Sequence, residues 1–146
     1  MAKKNEIVLE LQKKGYNLHG RKMICASADG HSYALMLADG VYSELQADVI
    51  NGGVDMEPAA VLDLADEEGT NLIGISVHCG QCLSYARSIM ELAAKRGRQY
   101  RIVMGGMFTA LLPGQKLPTD VQDLINETGV YASNDFAQQV EFILRG

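Results

Sequence analysis

Five short runs of this chain are apolar in the manner of strands, and the stretches between them repeat apolar residues at helical spacing. The runs are Lys22–Ser27 (KMICAS), Ala47–Gly52 (ADVING), Asn71–Ser76 (NLIGIS), Arg101–Gly106 (RIVMGG) and Gly129–Ser133 (GVYAS). The first, third and fourth are almost unbroken in apolar side chains, as in strands buried on both faces of a parallel sheet. Ala34, Leu37, Ala38, Val41 and Leu45 mark the apolar face of a first helix. The stretch EPAAVLDLADEEG has a proline in its first turn and closes on Gly69. Leu83, Ala86, Met90 and Ala93 form a third stripe, closed by Gly97. The capping-box spacing Thr119…Gln122 predicts a helix that ends at Gly129, and Phe136, Val140 and Ile143 predict a last one.

Strands that alternate with helices imply βαβ units with right-handed crossovers. Five of each fit an α/β, flavodoxin-like (Rossmann-like) doubly wound sheet of five parallel strands in the order 2-1-3-4-5. Residues 1–20 are expected to be an N-terminal arm or helix, and residues 21–146 the domain itself. No internal repeat and no linker interrupts the pattern.

Composition narrows the function. A chain of 146 residues supports one sizeable core. Its net charge of −5, with no basic stripe, argues against a nucleic-acid partner. No apolar run is long enough to span a bilayer, and the charged N-terminus has no signal-type apolar region. A cytoplasmic location is therefore expected. Cys25, Cys79 and Cys82 are an odd set, which argues against a disulfide framework.

In open α/β sheets ligands bind beyond the carboxyl ends of the strands, where the strand order reverses. Here that point lies between the first and third strands. The loops there are ADGHS, with Asp29, Gly30, His31 and Ser32, and SVHCGQC, with Ser76, His78, Gly80 and Gln81. The loop after the fourth strand begins with Gly105, Gly106 and Met107. His19 precedes the first strand and reads as a solvated surface residue. An Asp-x-His step supports two readings. Asp29 caps the helix that follows, as aspartate commonly does, or Asp29 orients His31 as a metal ligand by accepting from its second ring nitrogen.

The series Asp29-Gly30-His31-Ser32-Tyr33-Ala34, Ser76-Val77-His78 and Gly105-Gly106 resembles the cobalamin (B12)-binding domain family of adenosylcobalamin-dependent mutases and methionine synthase. The family pattern is Asp-x-His-x-x-Gly, then Ser-x-Leu, then Gly-Gly at three successive strand ends, and the likeness runs from Lys22 to Leu144. Within the family the chain most resembles the small cobalamin-binding subunit of glutamate mutase (methylaspartate mutase), whose third strand also leads into a Gly-Gln pair, here Gly80-Gln81. The resemblance implies that His31 replaces the dimethylbenzimidazole base as lower cobalt ligand and that Asp29 tunes it. It implies that Ser76 contacts the displaced base, and that Gly105 and Gly106 leave room for the nucleotide tail because they lack a Cβ. Gly30, Ser32, Ala34, His78, Gly80, Gln81 and Met107 complete the expected cofactor contacts. The implied cofactor is adenosylcobalamin. The implied partner is a larger catalytic mutase subunit, a barrel, docking on a rim that includes Tyr33, Met36 and Met107. A homodimer is a further possibility.

The chain departs from the pattern at Ala34, in place of the last motif glycine, and at His78, in place of leucine. YASND stands where coenzyme-A mutases have Pro-Gly-Thr, and Cys25 where some mutases have lysine. Other readings stay open. Cys79 and Cys82 form a Cys-x-x-Cys step, which suits a thiol redox protein. His31, His78, Cys79 and Cys82 have zinc-ligand chemistry. A regulatory module with a drifted site and a corrinoid methyl-transfer protein are also consistent, although the latter usually carries a helical domain first. FMN fits less well, because ASADGHS lacks a hydroxyl-rich phosphate loop.

Overall fold

The computed structural model describes residues 2–145. It opens with helix α1 (Ala2–Lys13), followed by β1 (Lys22–Ser27), α2 (Ser32–Glu44), β2 (Asp48–Gly53), α3 (Pro58–Glu68), β3 (Leu72–Val77), α4 (Cys82–Arg96) and β4 (Arg101–Gly106). A two-stranded ribbon, β5 (Thr109–Ala110) and β6 (Thr119–Asp120), comes next, then α5 (Gln122–Glu127), β7 (Tyr131–Ala132) and α6 (Phe136–Leu144). The main sheet is parallel in the order β2-β1-β3-β4-β7. This is the flavodoxin-like order expected, with β7 as the fifth strand.

Burial explains why the central strands are apolar throughout. All six residues of β3 are buried, because helices cover both faces of the sheet. One core, around Ile24, Ile73, Ile75 and Met104, joins the sheet to α3, α4 and α5. The other, around Met23, Leu35, Val41, Val140 and Ile143, joins it to α1, α2 and α6. Strand β2 is an edge strand with no fully buried residue, which is why its sequence is mixed.

Two local expectations are corrected. Thr119 does not cap a helix: it pairs with Ala110 in the antiparallel ribbon, and α5 starts only at Gln122, whose N–H bonds to Asp120 Oδ1 at 2.8 Å. The ribbon itself was not legible in GMFTALLPGQKLPTD, because its two-residue strands are too short for a period. The fifth strand of the sheet shrinks to Tyr131–Ala132. Among the described residues, no helix is long and apolar enough to cross a membrane.

Candidate functional site

Backbone hydrogen bonds stitch the strand ends into one surface. Ala28 N–H bonds to Ser76 O at 2.9 Å, Met56 N–H to Ser27 O at 3.0 Å and Met107 N–H to Val77 O at 2.9 Å. A register shift after Cys25 lets β2 skip a residue and turn through Gly53 (φ 94°) to Asp55, whose N–H bonds to Asp29 O at 3.0 Å.

Asp29 is the centre of this surface. It is 7% exposed. Its Oδ2 accepts the His78 N–H at 2.6 Å, and its Oδ1 accepts the His31 N–H at 3.0 Å and lies 2.9 Å from His31 Nδ1. Ser27 Oγ donates to Asp29 O at 2.9 Å. Burial works to raise the carboxyl pKa, but the N–H groups of His78 and His31, together with the His31 ring, outweigh it and hold it at about 2. Helix α2 begins at Ser32, with His31 as a cap residue that makes no side-chain capping bond. Asp29 is therefore no helix cap: it accepts from the residue before the helix and from the β3 exit loop. Among the described residues no protein group bonds to His31 Nε2, and the His31 side chain is 57% exposed.

Beside His31 lies His78, its ring centroid 5.5 Å away, and His78 Nδ1 is 3.3 Å from Ser76 Oγ. From here a groove of about 580 Å³ runs over the sheet between α2 and α6. Its floor is Cys25, Gly74, Ser76, Val103, Gly105 and Gly106, and its walls include Ala34, Tyr42, Asn134 and Gln139.

Ala34, Ser76, His78, Gly105 and Gly106 thus line the groove, while Asp29 and His31 stand beside His78 at its strand-end mouth. Gly30 is exposed in the same loop, and Ser32 is exposed as the first residue of α2. Gly80 (φ 71°) and Gln81 lie in the exposed turn before α4, outside the groove lining, and Met107 is exposed just after β4. The two glycines of the pair differ in what a side chain would meet. A Cβ on Gly106 (φ 124°) would stand 2.0 Å from Val77 O, so the fold itself demands glycine there, before any ligand is considered. A Cβ on Gly105 would meet Asn134 Oδ1 and Gln139 Nε2 at 3.4 Å, in ordinary contact on the groove wall. Asn134 was missed. It clamps Gly106, accepting its N–H at 2.8 Å and donating to its O at 2.7 Å. It follows β7, so the strand-end rule that found the other loops also reaches it.

The two cysteines of Cys-x-x-Cys have different surroundings. Cys82 is buried in the first turn of α4, its Sγ 3.6 Å from Thr109 O, while Cys79 is exposed, its Sγ 3.6 Å from His31 Nδ1. Partial burial, then the nearby Asp29 and Asp55 carboxylates, raise the Cys79 thiol pKa. Burial also raises that of Cys82, against the N–H groups of Leu83 and Cys82 that lower it. Both shifts oppose the thiolate that redox chemistry needs. The zinc set changes too: among the described residues Asp29, His31 and Cys79 hold ligand atoms within 4.8 Å of one another, and neither His78 nor Cys82 is among them.

A model of the B12-binding domain matches residues 22–134. The chain belongs to the B12-binding domain family. No curated sequence matches it. Among the solved structures that share the fold of this B12-binding domain are three corrinoid or cobalamin proteins. A novel cobalamin-binding protein from Desulfitobacterium hafniense DCB-2 is 17% identical, with a TM-score of 0.66, over 86% of this chain and 58% of that one. The Methanosarcina barkeri monomethylamine corrinoid protein is 17% identical, with a TM-score of 0.67, over 95% and 63%. The methanol:cobalamin methyltransferase complex MtaBC of Methanosarcina barkeri is 13% identical, with a TM-score of 0.66, over 91% and 50%. The chain spans between half and two thirds of the length of these proteins.

The residues of this B12-binding domain fit a corrinoid. The exposed imidazole of His31 is oriented by a buried carboxylate, and a long groove leads from its neighbour His78 over a floor kept low by Gly74 and Gly105.

Proposed function

We propose that this chain is the cobalamin-carrying subunit of an adenosylcobalamin-dependent carbon-skeleton mutase of the glutamate mutase type, holding the corrinoid base-off with His31 as lower cobalt ligand. The Asp29–His31 pair carries the reading: Nδ1 lies 2.9 Å from a buried carboxylate, and the ring is exposed beside the groove mouth. When bound, the cofactor supplies a cobalt–carbon bond that breaks to give an organic radical. Asp29 holds the proton on Nδ1 and leaves the Nε2 lone pair for a metal, the usual job of a carboxylate behind a metal-binding histidine. Ser76 offers a hydroxyl to the nucleotide base, and Gly105 keeps the groove open for the tail. Ala34 narrows the groove by one methyl. The strand-end loops cover one face of a corrinoid, so a larger subunit, a barrel in this reading, supplies the other face and the substrate contacts.

The corrinoid proteins among the structural neighbours favour a second reading, a methyl-transfer carrier with the same His31 ligation and a different partner. Electron paramagnetic resonance of the Co(II) form, with nitrogen-15 histidine, tests the ligand that both readings share. Superhyperfine coupling to one histidine nitrogen is expected, and its survival in His31→Ala would refute the assignment. Loading the chain with adenosylcobalamin or with methylcobalamin, and assaying each with a larger subunit, separates the two readings.

A further inference from the structure

Helix α1 precedes the family match, which begins at residue 22, yet it lines the same groove. Lys3, Ile7, Glu10, Leu11 and Lys14 all face the groove, a single stripe at helical spacing that runs one residue past the end of α1. The helix is held in place by specific contacts. Val8 and Leu11 are buried, while Leu9 is 56% exposed. Lys4 Nζ lies 3.3 Å from Glu44 Oε2, and the Lys4 stem crosses α2 where Gly40 leaves space, 2.7 Å from where a Cβ would stand. Just beyond α1, the Tyr16 hydroxyl donates to Glu141 of α6. The N-terminal segment thus ties α2 to α6, the two helices that flank the groove. Across from it, Tyr42 donates to Gln139 Oε1, and Gln139 Nε2 donates to Ser133 O at 2.5 Å, a buried polar pair with no free hydrogen-bonding group.

We infer that α1 is a specificity wall: it packs on the nucleotide tail and makes the domain select corrinoids that carry a complete nucleotide over those that lack one. This rests on the cobalamin reading above. The wall is apolar at Ile7 and Leu11, which suits an aromatic base. Glu10 offsets Lys14 across 3.7 Å, so the cation the wall offers a tail phosphate is Lys3. A tail-less corrinoid reaches His31 without touching α1, so only a complete one gains from the wall.

The test uses the full chain with hydroxocobalamin and with cobinamide, the corrinoid without a nucleotide. Hydrogen exchange across residues 3–14 is expected to slow with cobalamin and to stay unchanged with cobinamide. Ile7→Glu, at a half-buried position, is expected to weaken cobalamin binding about tenfold, from the apolar area it removes, and to leave cobinamide binding unchanged. Leu9→Glu, on the exposed side of α1, is the control and is expected to change neither. Cobalamin binding that leaves α1 exchange unchanged, or an Ile7→Glu effect equal for both corrinoids, overturns the wall and leaves the cobalamin reading standing. Binding of neither corrinoid by the wild-type chain overturns that reading and the wall with it.

Discussion

At the scale of single residues, one carboxylate does two jobs. Asp29 ties the β1 exit to the β3 exit and orients His31. Its pKa of about 2 lies below the unfolded value of 3.8, so it stabilises the fold at every pH above the unfolded value. That contribution, about 2 kcal/mol, is lost as pH falls from about 4 toward 2. Asp29→Asn keeps one acceptor but turns an amide NH₂ toward a backbone N–H. We expect it to fold, to lose about 1–3 kcal/mol at pH 7, and to show a flatter stability profile between pH 4 and 2. Urea unfolding followed by circular dichroism across that range checks this, and a wild-type profile would refute it. Cobalamin affinity is expected to fall 10–100-fold in the same variant. The glycine pair gives a contrast between neighbours. Gly106→Ala must move the β3 backbone and is expected to cost more than about 3 kcal/mol. Gly105→Ala is expected to keep its melting temperature within a few degrees of wild type and to bind cobalamin more weakly, because its methyl occupies the groove. Thermal melts and a cobalamin titration of both variants decide, and Gly105→Ala with wild-type affinity would remove Gly105 from the tail path.

At the scale of elements, long strongly patterned segments were legible and short ones were not. The β1, β3 and β4 runs were read within a residue of their ends because burial on both faces confines polar residues to their ends, at Lys22, Ser27, Ser76 and Arg101. The β5–β6 ribbon was invisible because two paired residues have no periodicity, and what holds it is tertiary. Phe108, Ala110 and Val121 are buried in the core of α3, α4 and α5, and Val121 N–H bonds to Phe108 O at 2.8 Å. The Cys-x-x-Cys step shows the reverse case. Its spacing is legible, but α4 turns Cys82 inward and leaves Cys79 beside two carboxylates, so a motif that suggests reactivity lacks the electrostatics for it.

At the scale of the molecule, the strand-end surface carries exposed apolar side chains that a domain working alone has little reason to keep in water. Tyr33 and Met36 on α2 are 58% and 59% exposed, and Met107 after β4 is 53% exposed. All three come from elements that begin or end at the carboxyl edge of the sheet, where the corrinoid would sit, so bound cofactor and apolar rim would form one docking face. On the mutase reading proposed above, the isolated chain is expected to turn over no substrate, and to associate with a larger subunit more tightly with cobalamin than without. Analytical ultracentrifugation of the two subunits, with and without cobalamin, measures this. Equal association in both states would remove the cofactor from the interface, and turnover by the isolated chain would refute the need for a partner.

The order of strands and helices, and the convergence of Asp29, His31, Ser76 and the glycine pair on one edge, followed from the sequence by itself. Both are local or topological facts: apolar periodicity specifies each element, and right-handed crossovers leave few ways to assemble them. Other facts required the tertiary structure. Which atoms Asp29 bonds depends on a β3 loop nearly fifty residues away. That Gly106 is demanded by the Val77 carbonyl rather than by a ligand depends on how closely two strands approach. That α1 borders the groove depends on how it docks against α2, which no pattern within its own residues expresses.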